Sequence, residues 1–215
     1  MNEYLKCTTT FNFDHSSVEE FGEEFEKLRH EPLELVVGIY NKVRDNILYN
    51  PFDIKIDPDY MKASLTAQKG FGHCIDKSSL FIALCRRFGI PARLGLSKVK
   101  NHIGTARFET IIKSDVLVPH GYAEVKIDGT WVKCTPVFNK TLCEKLSVPP
   151  LNFNGVDDSM FQSYNEDGKQ FMEYLEDYGS FDEPPLKLII RLLREHYPHL
   201  FDGERFKREL LMPSE

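Results

Sequence analysis

Cys74 and His120 are the residues of this sequence whose types and settings could do chemistry together. Cys74 follows the turn Lys69-Gly70-Phe71-Gly72-His73 and opens the stretch CIDKSSLFIALCRRF. That places its sulfur where the free N–H groups and dipole of a helix N-terminus favour a thiolate. A low thiol pKa is the expected consequence, and such a thiol is a nucleophile. Cysteine is also among the most often buried residues, so the nucleophilic reading needs a partner base. His120 offers one, because it opens HGYAEVKIDGTWVKCTP, where Asp128-Gly129 is a strong two-residue hairpin signal of type I′. Pairing across that turn sets 127 opposite 130, 126 opposite 131, 125 opposite 132, 124 opposite 133 and 122 opposite 135. His120, Tyr122, Glu124 and Thr135 then share one face, while Ala123, Val125 and Ile127 fill the other with Val132 and Cys134. His120 and Thr135 become diagonal neighbours, and an imidazole on a rigid strand is well placed as a general base.

Further polar residues surround this pair in the sequence. Gln68 could donate its amide to a developing oxyanion together with the Cys74 N–H, or it could simply be solvated at a helix end. His102, after Asn101 in a polar loop, could line the same cleft and touch substrate, although Asn-His is also an ordinary surface turn. Tyr122, on the His120 face, is another candidate for substrate contact. His73 is expected to point outward beside the helix cap, with Asp76 and Lys77 capping and solvating the first turn. Cys74, His73, His102 and His120 could be imagined around zinc, but they show neither HxxxH nor CxxC spacing, so no metal is expected. No GxxxxGK[ST] or GxGxxG pattern supports nucleotide binding.

The elements that must position these groups follow from hydrophobic periodicity. Helices are expected over residues 16–28, with Ser16 or Ser17 as N-cap, and over 32–47, 61–68 and 74–88. Strands are expected over 92–99, 108–112, 120–127 and 131–135. A polar loop spans 149–167, and two further helices, 169–178 and 186–196, read as an appended cover before a fraying tail. The class is α+β, with helices first and an antiparallel sheet after. At 215 residues, with 41% hydrophobic and 28% charged residues, the chain fits one globular domain. Lys and Arg total 27 against 33 Asp and Glu, so the net charge of -6 argues against nucleic acid as a partner. No apolar run of signal-peptide or bilayer-spanning length follows Met1, and the 5 scattered cysteines suit reduced thiols, so a cytoplasmic protein without a membrane partner is expected.

Two blocks together resemble the transglutaminase-like superfamily. The first is Gly72-His73-Cys74 with Lys77 and the run from Ala83 to Arg93, ALCRRFGIPAR; the second is His120-Gly121-Tyr122-Ala123-Glu124-Val125 through Trp131-Val132. The resemblance spans about residues 40–140. Thr135-Pro136-Val137-Phe138-Asn139, with Asn101-His102 and the acidic segment near Asp157-Asp158, is similar to a prokaryotic branch of transglutaminase-like proteins and cysteine proteases. It implies a papain-like fold: N-terminal helices, a central nucleophile helix packed on an antiparallel sheet, and a helical C-terminal extension. Within a single domain over 1–215, the core would be about 32–140 and the extension 150–215.

The resemblance further implies acyl transfer or hydrolysis of peptides and other amides without an organic cofactor, with Cys74 as nucleophile and His120 as base. The family's third residue is usually an Asp just before Pro on the return strand, and here Thr135 stands there. A hydroxyl can accept a hydrogen bond from the ring but brings no charge, and losing that charge costs up to about 10⁴ in turnover in serine triads. A Cys-His pair tolerates the loss better. Glu124 could supply the missing carboxylate, although Lys133 directly opposite predicts a cross-strand ion pair instead. The alternative to an enzyme is a fold retained as a peptide-binding module.

Overall fold

The computed structural model describes residues 2–53, 57–102 and 112–201. Helix α1 (Ser16–Gly22) is capped by the His15 ring, which accepts from the Ser17 N–H, rather than by either serine. The rest of the expected first helix, Glu23–Leu28, tightens into a 3₁₀ turn. It does so after Gly22, whose missing Cβ lets the chain approach Leu84. Helix α2 (Pro32–Asn46) starts on Pro and buries Leu35, Val36, Ile39, Tyr40 and Val43, the face its periodicity marks. Helix α3 (Ala63–Lys69) leads through Gly70 into strand β2 (Phe71–Gly72), which pairs in parallel with β1 (Leu48–Tyr49). Directly after it, α4 (Cys74–Arg87) runs through the middle of the molecule with nearly every residue buried.

Strands β3 (Ala92–Asn101), β4 (Val116–Ile127), β5 (Thr130–Cys134) and β6 (Met172–Phe181) form an antiparallel sheet in the order β5-β4-β3-β6. Asp128 and Gly129 both take positive φ, 48° and 85°, as a type I′ turn requires. The register follows the turn: Ile127 faces Thr130, Val125 faces Val132 and Glu124 faces Lys133. Leu94, Leu96, Ala123, Val125 and Cys134 share the main core with α4 and α2.

Residues 169–178 are a correction: they form no helix, and most of them lie in β6, hydrogen-bonded along β3. Phe171, Met172, Tyr174, Leu175 and Tyr178 fit helical spacing, but their aromatic and β-type composition finds a free sheet edge in β3, and pairing there overrides the local pattern. The C-terminal part is therefore not an all-helical cover. Helix α5 (Lys140–Leu146) was not apparent from periodicity, whereas α6 (Leu186–His196) has the bounds the sequence suggests. Residues 108–111 of the expected second strand and the expected fraying tail lie outside the described residues.

Two buried cations tie these layers together. Arg86, in the last turn of α4, donates to the carbonyls of Lys6, Ala92 and Asp182 at 2.9–3.0 Å, fastening segments from both ends of the chain to the central helix. Lys77 is a second correction. Instead of being solvated it is 0% exposed. Its Nζ donates to Arg44 O at 2.9 Å and Ile47 O at 2.5 Å, where the carbonyls at the end of α2 lack helical partners. Burial pulls its pKa down to about 7.

Lys77→Met keeps much of the side-chain bulk but leaves both carbonyls unpaired in the core. Urea unfolding at pH 7 is expected to show a loss of about 2–5 kcal/mol; a loss below about 1 kcal/mol would mean that water or another donor reaches those oxygens.

Candidate active site

A capping box fixes the start of α4. The His73 ring accepts from Asp76 N at 3.2 Å, and the Asp76 carboxylate accepts from His73 N at 3.1 Å. His73 is therefore turned inward and buried, contrary to the outward orientation expected, and it lines the same cavity as Cys74. Asp76 does cap the helix, and its burial raises its carboxyl pKa although His73 opposes this.

Strand β4 meets this helix start at Gly121. A Cβ there would lie 2.7 Å from Ile75 Cγ1 and 3.0 Å from the Ile75 Cα, so only glycine permits the contact. The Gly121 N–H donates to the Cys74 sulfur at 3.3 Å. His120, one residue earlier, pairs with Ser97 of β3, whose hydroxyl donates to the His120 carbonyl at 3.3 Å. Cys74 and His120 both line a cavity of about 60 Å³. They are 8% and 3% exposed. No hydrogen bond joins sulfur to ring among the described residues; the sulfur's partner is Gly121.

Electrostatics correct the expectation of a low thiol pKa. Burial pushes the Cys74 thiol up to about 11, with Asp76 adding to the rise; the N–H groups of Gly121, Ile75 and Cys74 itself pull the other way without prevailing. Burial likewise pulls His120 down to about 4, assisted by the neighbouring His73. The resting pair at neutral pH is thus an uncharged thiol and an uncharged imidazole.

Thr135 lies just past β5, with its carbonyl accepting from the Tyr40 hydroxyl at 3.1 Å. Its Oγ1 and the His120 Nδ1 are both buried without a hydrogen-bond partner among the described residues. Both residues line a second cavity of about 10 Å³, closed by Phe161, Gln162 and Met172. Thr135 therefore sits beside the ring without touching it through a hydrogen bond.

The remaining candidates are placed elsewhere. Gln68 is exposed on α3 and does not line the Cys74 cavity. His102, at the end of β3, contacts Glu173 of β6 at 3.1 Å and is likewise absent from the cavity wall. Tyr122 crosses over Gly95, with its hydroxyl 3.2 Å from the Asp177 carboxylate. Glu124 lies opposite Lys133 as expected but pairs with Arg93 on β3, at 2.6 Å from Nε and 2.5 Å from Nη2, and accepts from Ser180. Lys133 instead pairs with Asp177 at 2.9 Å. Glu124 is thus engaged away from the imidazole.

Sequence reasoning missed the Gly121 donor and the C-terminal wall. The signal for Gly121 was available, since a glycine inside a strand marks a close backbone approach. Ile189 and Leu193 of α6 and the following Tyr197 complete the cavity around Cys74. The Tyr197 hydroxyl accepts from Val118 N at 2.8 Å and donates to Val116 O at 2.5 Å, fixing this wall to β4. No group of three or more His, Cys, Asp or Glu among the described residues could hold a metal ion.

A central helix beginning at a cysteine and packed on an antiparallel sheet that carries a histidine beside it defines an α+β fold of papain-like kind. The chain belongs to the transglutaminase-like superfamily, whose model matches residues 19–136. That superfamily is of the cysteine-dependent hydrolase and acyltransferase kind. No curated protein matches the chain. A solved structure named "a Putative Cysteine Protease from Cytophaga hutchinsonii" is similar over 62% of this chain, at 21% identity and a TM-score of 0.42. This chain covers only 40% of that protein. Among the described residues no helix is long and apolar enough to cross a membrane.

Because the Cys74 thiol ionises only as pH climbs toward about 11, its thiolate is scarce at pH 7. Iodoacetamide modification of Cys74, followed by peptide mass spectrometry, is expected to keep accelerating from pH 7 to pH 10. A rate already at its plateau by pH 7 would contradict this environment.

Proposed function

We propose that this chain is a cysteine-dependent amidase or acyltransferase acting on peptides or other amides. The observation that carries the reading is that Cys74, at the start of the buried helix, and His120, on the facing strand, line one cavity. Cys74 Sγ attacks the carbonyl carbon while His120 takes the thiol proton. A C–S bond forms, the C–N bond breaks, and the proton passes from the imidazole to the leaving amine. Water or a second amine then attacks the thioester, giving its proton back through His120 as the thiol is restored. With both groups uncharged at rest, the proton moves as the C–S bond forms rather than beforehand.

The N–H groups at the start of α4 are the donors available for the developing oxyanion, since Gln68 does not reach the cavity. Thr135 acts as a positioning residue for the ring across the small cavity they share, which has room for about one water molecule. Acyl-enzyme formation tests the reading. With activated amide or thioester substrates, intact-mass spectrometry is expected to detect an adduct on Cys74, none on Cys74→Ala, and at least about 100-fold slower acylation in His120→Gln.

A second reading has its own observation: the thiol pKa is raised, that of the imidazole is lowered, and no carboxylate among the described residues is hydrogen-bonded to the ring. A peptide-binding module would show binding that survives Cys74→Ala alongside a wild type that never forms an acyl-enzyme.

Thr135→Asp tests the part that Thr135 plays in the first reading. A carboxylate beside Nδ1 favours the imidazolium, so the acid limb of the kcat/KM profile is expected to move to higher pH and the plateau to rise about tenfold or more. Thr135→Asn, an acceptor without charge, is expected to leave the limb in place. A folded Thr135→Asp protein with an unchanged profile would remove Thr135 from the mechanism.

A further inference from the structure

The cavity at Cys74 has a distinct chemical character. Apart from Cys74 and the two histidines its wall is mainly hydrocarbon and aromatic, with Met61, Pro119, Ile189 and Leu193 around it and no Asp, Glu, Lys or Arg among the described residues. Of the polar side chains on this wall, Tyr197 and His73 have atoms that are already engaged, and Tyr49 adds one hydroxyl. The Tyr197 hydroxyl is held between Val116 O and Val118 N, and the His73 Nδ1 accepts from Asp76 N. The His120 Nδ1 is buried without a partner, and His120 also borders the second cavity, on the Thr135 side.

Resting on the reading of Cys74 as an acyl acceptor, we infer that this cavity is an acyl-side subsite for a compact aliphatic residue. The side chain next to the attacked carbonyl would be that of Val or Leu, not the carboxamide of Gln. Its volume of about 60 Å³ suits a branched chain of about three or four carbons. A carboxamide placed there would exchange its water for few polar partners among the described residues, the Tyr49 hydroxyl being one, whereas an isobutyl group would gain burial. The discrimination is assigned to Ile189 and Leu193, which lie on α6, beyond residues 19–136 that match the superfamily model. Wall and reacting groups therefore come from different stretches of the chain.

The test uses the full chain and a set of N-acetyl amino acid thioesters with one common leaving thiol, carrying Val, Leu, Phe or Gln side chains. Acylation of Cys74 is followed by intact mass, and iodoacetamide serves as a small electrophile that needs no subsite. Leu or Val is expected to acylate at least about tenfold faster than Gln. Leu193→Ala is expected to improve Phe relative to Leu, and Leu193→Phe, which fills the cavity, to suppress Leu while sparing iodoacetamide. Gln reacting as fast as Leu in the wild type overturns the aliphatic subsite and leaves the acyl-enzyme reading standing. Iodoacetamide labelling of Cys74 without acylation by any thioester overturns the acyl-enzyme reading, and the subsite with it.

Discussion

The start of α4 rests directly on the backbone of β4, and that contact is possible only because residue 121 has no side chain. With the Ile75 Cγ1 and Cα only 2.7 Å and 3.0 Å from where a Cβ would sit, the helix could not come this close to a residue with a side chain. The sulfur's hydrogen bond, the proximity of His120 and the shape of the cavity all descend from that approach. The capping box on the helix side and the Ser97 hydroxyl on the sheet side hold the two surfaces in register.

The same closeness creates an electrostatic competition that local sequence does not reveal. A helix N-terminus typically favours an anion by 0.3–1 kcal/mol at exposed sites. Complete burial can move an ionisable group by several pKa units against its charged form. At Cys74 the second effect is larger. The charge state of this thiol is therefore set by the packing assembled around it rather than by the helix end alone.

What could be read from the chain follows the range of each interaction. Asp128-Gly129 set the hairpin register because turn geometry is local, and that register runs on toward Thr135, just past β5, which shares a small cavity with His120 within β4. The boundaries of α4 were legible from Gly72 before it and Gly89 after it. By contrast, β6 gains its conformation from β3, some eighty positions earlier in the chain, so a pattern compatible with helix was not decisive. Glu124 illustrates the same point: the hairpin partner Lys133 was visible, but Arg93 on the opposite neighbouring strand was not, and it takes the carboxylate. Lys77 looked like a solvated first-turn residue because the carbonyls it binds belong to another helix.

The order of the elements along the chain carries a consequence for biosynthesis. Cysteine and histidine are both translated well before β6 and α6, which bring the fourth strand and the far wall of the cavity. Until that later stretch is made, the nascent polypeptide has α4 and β4 without the far side of the cavity between them, and β3 keeps an open edge until β6 pairs with it.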